Sequence, residues 1–323
     1  MSVAHTKGCF FRMSENNNIT NQDESLLEVA LVLGGDHRQS VDFGTGEIFF
    51  EGVQPGQENG REVASPLSTL HKSPQIEYAA GGSLLKVSAG IVSEAPIGGK
   101  RGKIGGFSFA SRKRLMRTIA KVKRDAKLPC FVTLTYPNKF PSPIESKKHL
   151  ENFAKRLKRE FSDIGFIWKL EPQERGAPHY HLLVWGVQEA DLFYFVPSAW
   201  YEIAGDGDHN HLLFHMGCLR NQHCVSEVRS WRGVWSYASK YLGKTFEVAG
   251  WDCIYPGRFW AVVNRENIPF GVDMVMCVTL KDARLWMRYQ RRFGKLKSRN
   301  YSSLTTFCDA DQWVKNFLGE VAS

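Results

Sequence analysis

Two histidines separated by a single residue are the feature of the sequence that most directly suggests chemistry. His179 and His181 lie in the segment HYHLLVW, whose aromatic and apolar residues predict a β-strand. Side chains two apart on a strand project from the same face, so the two imidazoles could bind one divalent ion. Taken alone, such a pair is more often two surface histidines than a metal site. The neighbouring elements therefore have to decide between these interpretations.

A carboxylate stands close by on the predicted neighbouring strand. The segment GFIWKLEPQ precedes the histidines, and a short turn containing Gly176 joins the two segments, a pattern typical of a β-hairpin. Glu171 stands just before this turn, where its oxygen could reach across the hairpin, and Glu174 is a less favourable substitute. Two imidazoles and one carboxylate suit Mg²⁺ or Mn²⁺ acting as a Lewis acid.

The segment YASKYLGKT, residues 237–245, is the second candidate site. In a helix, Tyr237 and Tyr241 would lie one turn apart, with Lys240 and Lys244 on the same stripe. A phenol with a pKa of about 10 is a weak nucleophile at neutral pH. A metal or an ammonium group must therefore stabilise the negative charge that develops during its attack. The two lysines could supply such cations.

The same segment also matches A-x-x-x-x-G-K-T from Ala238, which is a relaxed form of the phosphate-binding loop of nucleotide hydrolases. That loop needs a strand leading directly into a glycine turn and then a helix whose amides hold the phosphates. Here Ala238 replaces the first glycine, and Gly250 and Pro256 soon follow Thr245. The tyrosine interpretation is therefore favoured.

A third cluster lies in the segment HNHLLFHMGCLRNQHC, which is predicted to be a loop. It could be drawn as a zinc site, but its spacing follows no recognised zinc pattern, and loops often gather polar residues by chance. A loop without metal therefore stays the alternative. The residues concerned are His209, His211, His215, Cys218, His223 and Cys224.

The elements around these candidates predict an α+β fold. The spacing of apolar residues predicts helices over residues 111–127, 145–161, 190–204 and 232–246. Strands are predicted in CFVTLTY, CVSEVRS and GRFWAVVN. Residues 1–105 are rich in Gly, Ser, Asn and acidic residues and contain only strand-like patches such as EIFF and SLLKVS. We expect this part to be an accessory or partly disordered region.

The charge of the chain indicates a polyanionic partner. The net charge is +9 over 323 residues, and residues 99–323 carry 36 basic against 21 acidic side chains. Nucleic acid is favoured over membrane because no long apolar run accompanies this charge. A basic helix over residues 281–299 could contact phosphates through Arg288, Arg291 and Arg292 and stack bases on Trp286, Tyr289 and Phe293, although a solvated cationic face is the alternative. Seven cysteines without a CxxC pair suit a reducing cytoplasm.

Three segments in order, FVTLTYP, EPQERGAPHYHLLVW and YASKYLGK, resemble the three motifs of the HUH endonuclease superfamily. The resemblance is closest to the rolling-circle replication initiators of small bacteriophages and plasmids, and it covers roughly residues 107–265. It implies an antiparallel sheet with flanking helices and an RRM- or ferredoxin-like core. It also implies an endonuclease domain over residues 106–270, followed by a basic helical tail over residues 271–323.

The resemblance further implies a mechanism. His179, His181 and Glu171 match the metal ligands, Tyr237 matches the nucleophile, and Tyr241 matches the second tyrosine of initiators that use two. In such enzymes the tyrosine attacks single-stranded origin DNA, leaving a 5′-phosphotyrosyl bond and a free 3′-hydroxyl that primes synthesis. Lys240 would assist catalysis and Lys244 would contact DNA. A helicase and a polymerase of the bacterial host are the expected protein partners, in the cytoplasm and without a membrane.

Two other functions remain open on the sequence. A transposase or a relaxase of the same superfamily would use the same motifs, although the double tyrosine and the absence of a recognisable helicase motor favour the initiator. A non-catalytic protein that binds single-stranded DNA would keep the fold without the chemistry.

Overall fold

The computed structural model describes residues 30–31, 47–51, 69–94, 106–219, 223–231, 234, 251, 257–293 and 303–322. These residues form two larger β-sheets flanked by helices, which confirms the predicted α+β class. The strands are β1 (Ala30–Leu31), β2 (Glu47–Glu51), β3 (Thr69–Lys72), β4 (Gln75–Ala79), β5 (Leu84–Ser88), β6 (Ile91–Glu94), β7 (Cys130–Leu134), β8 (Gly165–Pro172), β9 (Pro178–Trp185), β10 (Val225–Glu227), β11 (Trp260–Val263), β12 (Asp273–Cys277) and β13 (Ser303–Phe307). The helices are α1 (Phe109–Ala120), α2 (Pro143–Glu160), α3 (Glu189–Ala204), α4 (His209–His215), α5 (Leu280–Phe293) and α6 (Ala310–Ala322).

The first sheet contains five antiparallel strands in the order β10-β7-β9-β8-β11. The predicted hairpin of β8 and β9 is confirmed and lies beside β7. Glu171 pairs opposite His179, and Lys169 pairs opposite His181. Because side chains alternate between the two faces of a strand, these four side chains share one face of the sheet. We call this side the histidine face.

The turn of the hairpin depends on a glycine. Gly176 has φ of 80°, a left-handed conformation that side chains with a Cβ rarely adopt. The turn is closed by the N–H of Gln173, which donates to the carbonyl of Ala177 at 2.9 Å. The indole N–H of Trp251 donates to the carbonyl of Gly176 at 2.9 Å. These bonds hold the end of the hairpin on which Glu171 and His179 stand.

Helix α2 covers the opposite face of the sheet. A capping box between Ser142 and Glu145 begins the helix, with Pro143 at its first turn. Leu150, Phe153 and Leu157 recur at helical spacing, and all three are buried, as the sequence predicts. The hydroxyls of Ser146 on α2 and Tyr180 on β9 lie 2.7 Å apart, which fixes the helix to the face that points away from the histidines.

The second sheet joins the N-terminal and C-terminal parts of the chain. Its strand order is β1-β2-β13-β5-β4-β12, and its pairings are antiparallel apart from β1 with β2. Helices α5 and α6 pack against it through a separate apolar core that includes Trp286, Trp313 and Phe317. The strands predicted in EIFF and SLLKVS are confirmed as β2 and β5.

This arrangement corrects the expectation of a basic helical tail over residues 271–323. The range contains α5, but it also contains β12 and β13, and β13 lies between β2 and β5 within the sheet. A strand in such a position has both edges hydrogen-bonded, so it belongs to the folded body of the protein. The C-terminal residues therefore complete a sheet that the N-terminal residues begin.

Two further expectations are corrected. The helix predicted over residues 111–127 ends at Ala120, because Val122 instead forms a β-bridge with Phe270. The predicted histidine-rich loop contains helix α4, whose start is capped by Asp208 through its side-chain bond to the N–H of Asn210 at 3.0 Å. No helix in the described part of the chain has the length and apolarity required to cross a bilayer.

Candidate functional site

The hairpin brings the two predicted histidine ligands together. The ring centroids of His179 and His181 lie 4.4 Å apart, with the rings nearly perpendicular. Phe131 of β7 stacks on His181 at a centroid distance of 5.3 Å, and the side chain of Thr133 lies 3.5 Å from the Nδ1 atom of His181. His181 is buried, whereas His179 is half-buried. The pair is therefore packed on the β7 side and accessible through His179.

Glu171 lies next to the pair as a charged carboxylate. Its Oε2 atom lies 3.5 Å from the Nε2 atom of His181, and its other oxygen forms an ion pair with the ammonium group of Lys169. Burial acts to raise the pKa of Glu171, but the hydrogen bonds and charges of His181 and Lys169 outweigh it, so the pKa is lowered. The carboxyl group is thus ionised at neutral pH.

Lys169 is a member of the histidine face that the sequence analysis did not single out. Its side chain is buried, and its ammonium group lies 5.0 Å from the ring centroid of Phe107, the residue that precedes α1 by two positions. A buried ammonium requires a partner of opposite charge. Glu171 supplies that charge, so the two side chains neutralise each other beneath the histidines.

The histidine next to the turn is held neutral. Burial, followed by the charges of His181, His215 and Arg175, lowers the pKa of His179 well below its ordinary value. A neutral imidazole keeps the lone pair that a metal ligand needs. The amide nitrogen of Gln173 lies 3.4 Å from the Nδ1 atom of His179, so this ring also has a partner beside it in the turn.

The donor types on the histidine face fit a divalent cation, because neutral imidazoles and an ionised carboxylate are suitable ligands. The geometry is less complete. Within the described ranges, no group of three or more His, Cys, Asp or Glu side chains converges closely enough to hold a metal ion. Glu171 is instead turned toward Lys169. The metal assignment of His179, His181 and Glu171 therefore stays a prediction.

The segment that carries this hairpin has a recognisable family. Residues 129–246, somewhat more than a third of the chain, match the family model described as Replication-associated protein ORF2. This is a replication-associated segment. The predicted resemblance to replication initiators is thereby confirmed. No curated protein and no solved structure gives a significant match to the chain.

A second pair of histidines in the replication-associated segment has a structural environment. His211 and His215 on α4 are both buried, with ring centroids 4.4 Å apart. The Nε2 atom of His211 lies 2.9 Å from the carbonyl oxygen of Thr135, so this nitrogen carries the proton and donates it. The indole N–H of Trp200 donates to the same oxygen at 2.5 Å. These bonds attach α3 and α4 to the end of β7.

His215 completes this attachment. Its Nε2 atom accepts from the backbone N–H of Thr135 at 3.3 Å, and its Nδ1–H donates to the carbonyl of His211 at 2.9 Å. Burial is the largest cause that lowers the pKa of His215, to about 4. The zinc alternative finds no support here, because the described members of that cluster form no group of three ligands.

Arg175 extends from the hairpin turn toward the loop after β7. Its guanidinium donates to the carbonyl oxygens of Tyr136 and Pro137, and its Nε–H donates to the side-chain oxygen of Gln173 at 2.9 Å. The guanidinium carbon lies 5.3 Å from the ring centroid of Phe140. Arg175 and Phe140 are both exposed, so a fixed cation and an aromatic ring lie beside the opening at His179.

The predicted nucleophile segment cannot be placed in the same way. Tyr237, Lys240, Tyr241 and Lys244 lie outside the described residues, although they fall within the family match. The nearest described residue is Val234, which is fully buried in the core of the first sheet. Its N–H donates to the carbonyl of Ser230 at 3.1 Å, the bond of a first helical turn. A helix beginning here agrees with the predicted helix over residues 232–246.

Helix α5 shows which of its residues could meet DNA. Arg288 is exposed and Arg291 is half-buried, whereas the side chain of Arg292 lies outside the described residues. Trp286 is buried against Phe317, with ring centroids 4.2 Å apart. The expectation that Trp286 stacks on bases is therefore wrong, because its ring is a core residue of the second sheet. The Tyr289 ring is half-buried, and the Phe293 side chain lies outside the described residues.

Proposed function

We propose that this protein initiates rolling-circle replication of a phage or plasmid by nicking and rejoining single-stranded origin DNA. The observation that carries the proposal is the pair of adjacent histidines opposite Glu171 on the hairpin of a replication-associated segment. A neutral imidazole pair beside an ionised carboxylate is suited to hold a divalent cation. When bound there, Mg²⁺ or Mn²⁺ would polarise the scissile phosphate.

Each residue of the proposed site has a separate role. His179, His181 and Glu171 hold the cation, and Lys169 keeps the Glu171 carboxylate ionised until it is engaged. The phenol of Tyr237 attacks phosphorus, which forms a 5′-phosphotyrosyl bond and releases a 3′-hydroxyl as the leaving group. Tyr241 serves the second cleavage that ends a round. The ammonium group of Lys240 stabilises the developing charge, and Lys244 contacts the DNA backbone.

The experiment that tests this proposal uses the full chain with single-stranded circular DNA and Mn²⁺ or Mg²⁺. A covalent protein–DNA adduct and a free 3′-hydroxyl are the expected products, and a host polymerase should extend the latter. The same incubation with a chelator should give neither product. Cleavage that leaves no protein on the DNA would contradict a tyrosine mechanism, and adduct formation only on transposon ends or a transfer origin would favour a transposase or a relaxase.

A second candidate function is favoured by one contact. The carboxylate of Glu171 is engaged by Lys169, and this ion pair leaves the histidines without a third ligand in the described ranges. A protein that binds single-stranded DNA without cutting it would keep such an arrangement. Strong, salt-sensitive DNA binding without any adduct at millimolar Mn²⁺ would support this alternative.

Arg175 is expected to contact the DNA strand beside the histidines. Three donor positions of its guanidinium are fixed by Gln173, Pro137 and Tyr136, so the remaining N–H groups are preorganised for a phosphate oxygen. We expect Arg175→Ala to raise the Kd for single-stranded DNA about tenfold, since a charge-assisted hydrogen bond contributes roughly 1.5–3 kcal/mol. Fluorescence anisotropy with a labelled oligonucleotide measures the change.

The control for this variant is Lys139→Ala. Lys139 lies on the loop after β7, next to Phe140 in sequence, and its side chain is 87% exposed. It carries the same charge, but its ammonium group pairs with the exposed carboxylate of Asp206 at 3.0 Å, so its loss should change the Kd much less. Thermal unfolding of Arg175→Ala must stay near that of the wild type, because Arg175 also joins the turn to the loop. Equal increases in Kd for the two variants would reduce Arg175 to a general cation.

The exposed side of α5 is expected to contribute to DNA affinity through charge alone. Neutralising Arg288, Arg291 and Arg292 together should lower the slope of log affinity against log salt by roughly 0.7 for each phosphate that these arginines neutralise in the wild type. Since the aromatic ring of Trp286 is buried, base stacking should not change with these substitutions. An affinity and a slope equal to those of the wild type would identify this side as a solvated cationic face.

A further inference from the structure

A groove lies between α2 and the β11 edge of the first sheet. Its volume is about 330 Å³. The floor is apolar and comes from α2, β8 and β11. The residues of this floor are Leu150, Ala154, Phe166, Trp168 and Val263.

Lysine side chains surround the groove on the α2 side. Lys147, Lys155 and Lys158 recur along one side of the helix and all line the groove. Lys147 is held over the floor, with its ammonium group 5.6 Å from the ring centroid of Trp168 and bonded to the carbonyl of Arg258. The side chain of Lys155 is 61% exposed and pairs with the groove residue Glu151 at 2.7 Å. One acidic side chain thus accompanies three basic ones.

The groove and the histidine pair lie on opposite faces of the sheet. Trp168 pairs with Leu182, so its side chain shares a face with Tyr180 and alternates with Lys169 and Glu171. The strand β11 is at the end of the strand order, and no strand within the described ranges pairs with its outer side. A ligand in the groove would therefore leave the histidine face open to DNA.

We propose that this groove binds an acidic peptide segment of a partner protein, in which carboxylates flank one or two large apolar side chains. The apolar floor would take the apolar side chains out of water, and the three ammonium groups would meet the carboxylates. Charge complementarity selects this partner, because an apolar segment rich in Lys or Arg would be repelled by the same lysines.

A nucleic acid strand fits the groove less well. Binding of single strands without sequence preference relies on exposed aromatic rings on which bases stack. The aromatic rings among the described groove residues are Phe166 and Trp168, which are 0% and 9% exposed. The ammonium group of Lys147 already lies over Trp168. The floor can therefore receive an apolar side chain at its surface but offers no open ring face to a base.

The test is a binding measurement on the full chain with a fluorescein-labelled synthetic peptide in which Asp and Glu flank a Leu-Phe pair. A matched peptide carries Ser in place of Leu and Phe. We expect the wild type to bind the first peptide at least about tenfold more tightly than the second, since such apolar side chains leave water on binding. Ala154→Trp should remove this preference by filling the groove, because Ala154 is a half-buried floor residue.

A charge reversal provides the second variant, in case Ala154→Trp fails to fold. Lys158→Glu should weaken binding of the acidic peptide several-fold, whereas Lys148→Glu, an exposed position of α2 outside the groove, should not. Equal affinities for the two peptides, or equal effects of the two lysine variants, would overturn the proposal. Displacement of the peptide by a single-stranded oligonucleotide in the Arg175→Ala variant would overturn it in favour of nucleic acid. None of these results depends on nicking.

Discussion

Replacement of both His179 and His181 by alanine is expected to lower the rate of nicking by a factor on the order of a thousand or more. The reason is that a bound cation contributes several kcal/mol of stabilisation to the charge developing on the phosphate. Affinity for single-stranded DNA should change little, because it is dominated by Lys and Arg contacts to phosphates. The fold should survive, since His179 is half-buried and next to a turn that other bonds hold.

Nicking of a labelled oligonucleotide and Mn²⁺ binding by calorimetry measure the two parts of this expectation. The control is His209→Ala, because His209 is exposed and belongs to the same replication-associated segment but lies on α4. Glu171→Ala should raise the cation concentration required for nicking, and an effect of Glu174→Ala instead would show that the wrong acidic residue was assigned. Undiminished cleavage by the histidine double variant in chelator-treated buffer would refute the metal prediction.

Local patterns were sufficient to predict the hairpin. Two short apolar segments joined through a glycine turn gave β8 and β9 with the correct partners, because hairpin pairing involves neighbours in sequence. The spacing of two residues then placed His179 and His181 on one face, as their centroid distance of 4.4 Å shows. Residue type and period were enough for these conclusions, since no distant part of the chain decides them.

Distant contacts explain what the sequence analysis missed. Lys169 looked like any strand residue, and its position beneath the histidines follows from the pairing register and from Phe107 outside the sheet. The second sheet pairs β13 with β2 and β5, which lie far away in sequence, and no local period carries such information. For the same reason Trp286 was assigned to a DNA-binding surface, although the neighbouring helix α6 covers it.

The segment of Tyr237 and Tyr241 gives the other large expected effect. Tyr237→Phe should abolish most of the initial nicking, because it removes the oxygen that attacks phosphorus and keeps the ring. In the helix that the sequence predicts, Tyr237 follows the buried Val234 by three residues and Tyr241 follows it by seven. These separations place all three side chains on one side of the helix. The tyrosines would therefore face the body of the domain, where the histidines lie.

Tyr241→Phe should behave differently. One helical turn separates the two phenols, a rise of about 6 Å for four residues, so both could serve one reaction centre with a small movement of the DNA. This variant should still nick but fail to complete strand transfer, because the second cleavage must occur while the first adduct waits for its 3′-hydroxyl. The double variant should form no adduct. Quantifying adduct and rejoined circle separately distinguishes the two single variants.

Peptide mapping of the trapped adduct decides between the interpretations of YASKYLGKT. DNA attached to Tyr237 after one round, and to either tyrosine after several rounds, is the expected result. Lys244→Ala should lower the rate only modestly, since on this interpretation Lys244 contacts the DNA backbone and takes no part in bond formation. A phosphate-binding loop would instead make Lys244 essential for nucleotide hydrolysis. ATP hydrolysis that disappears in Lys244→Ala, or an adduct on neither tyrosine, would show that the lysine and not the phenols is the functional centre of this segment.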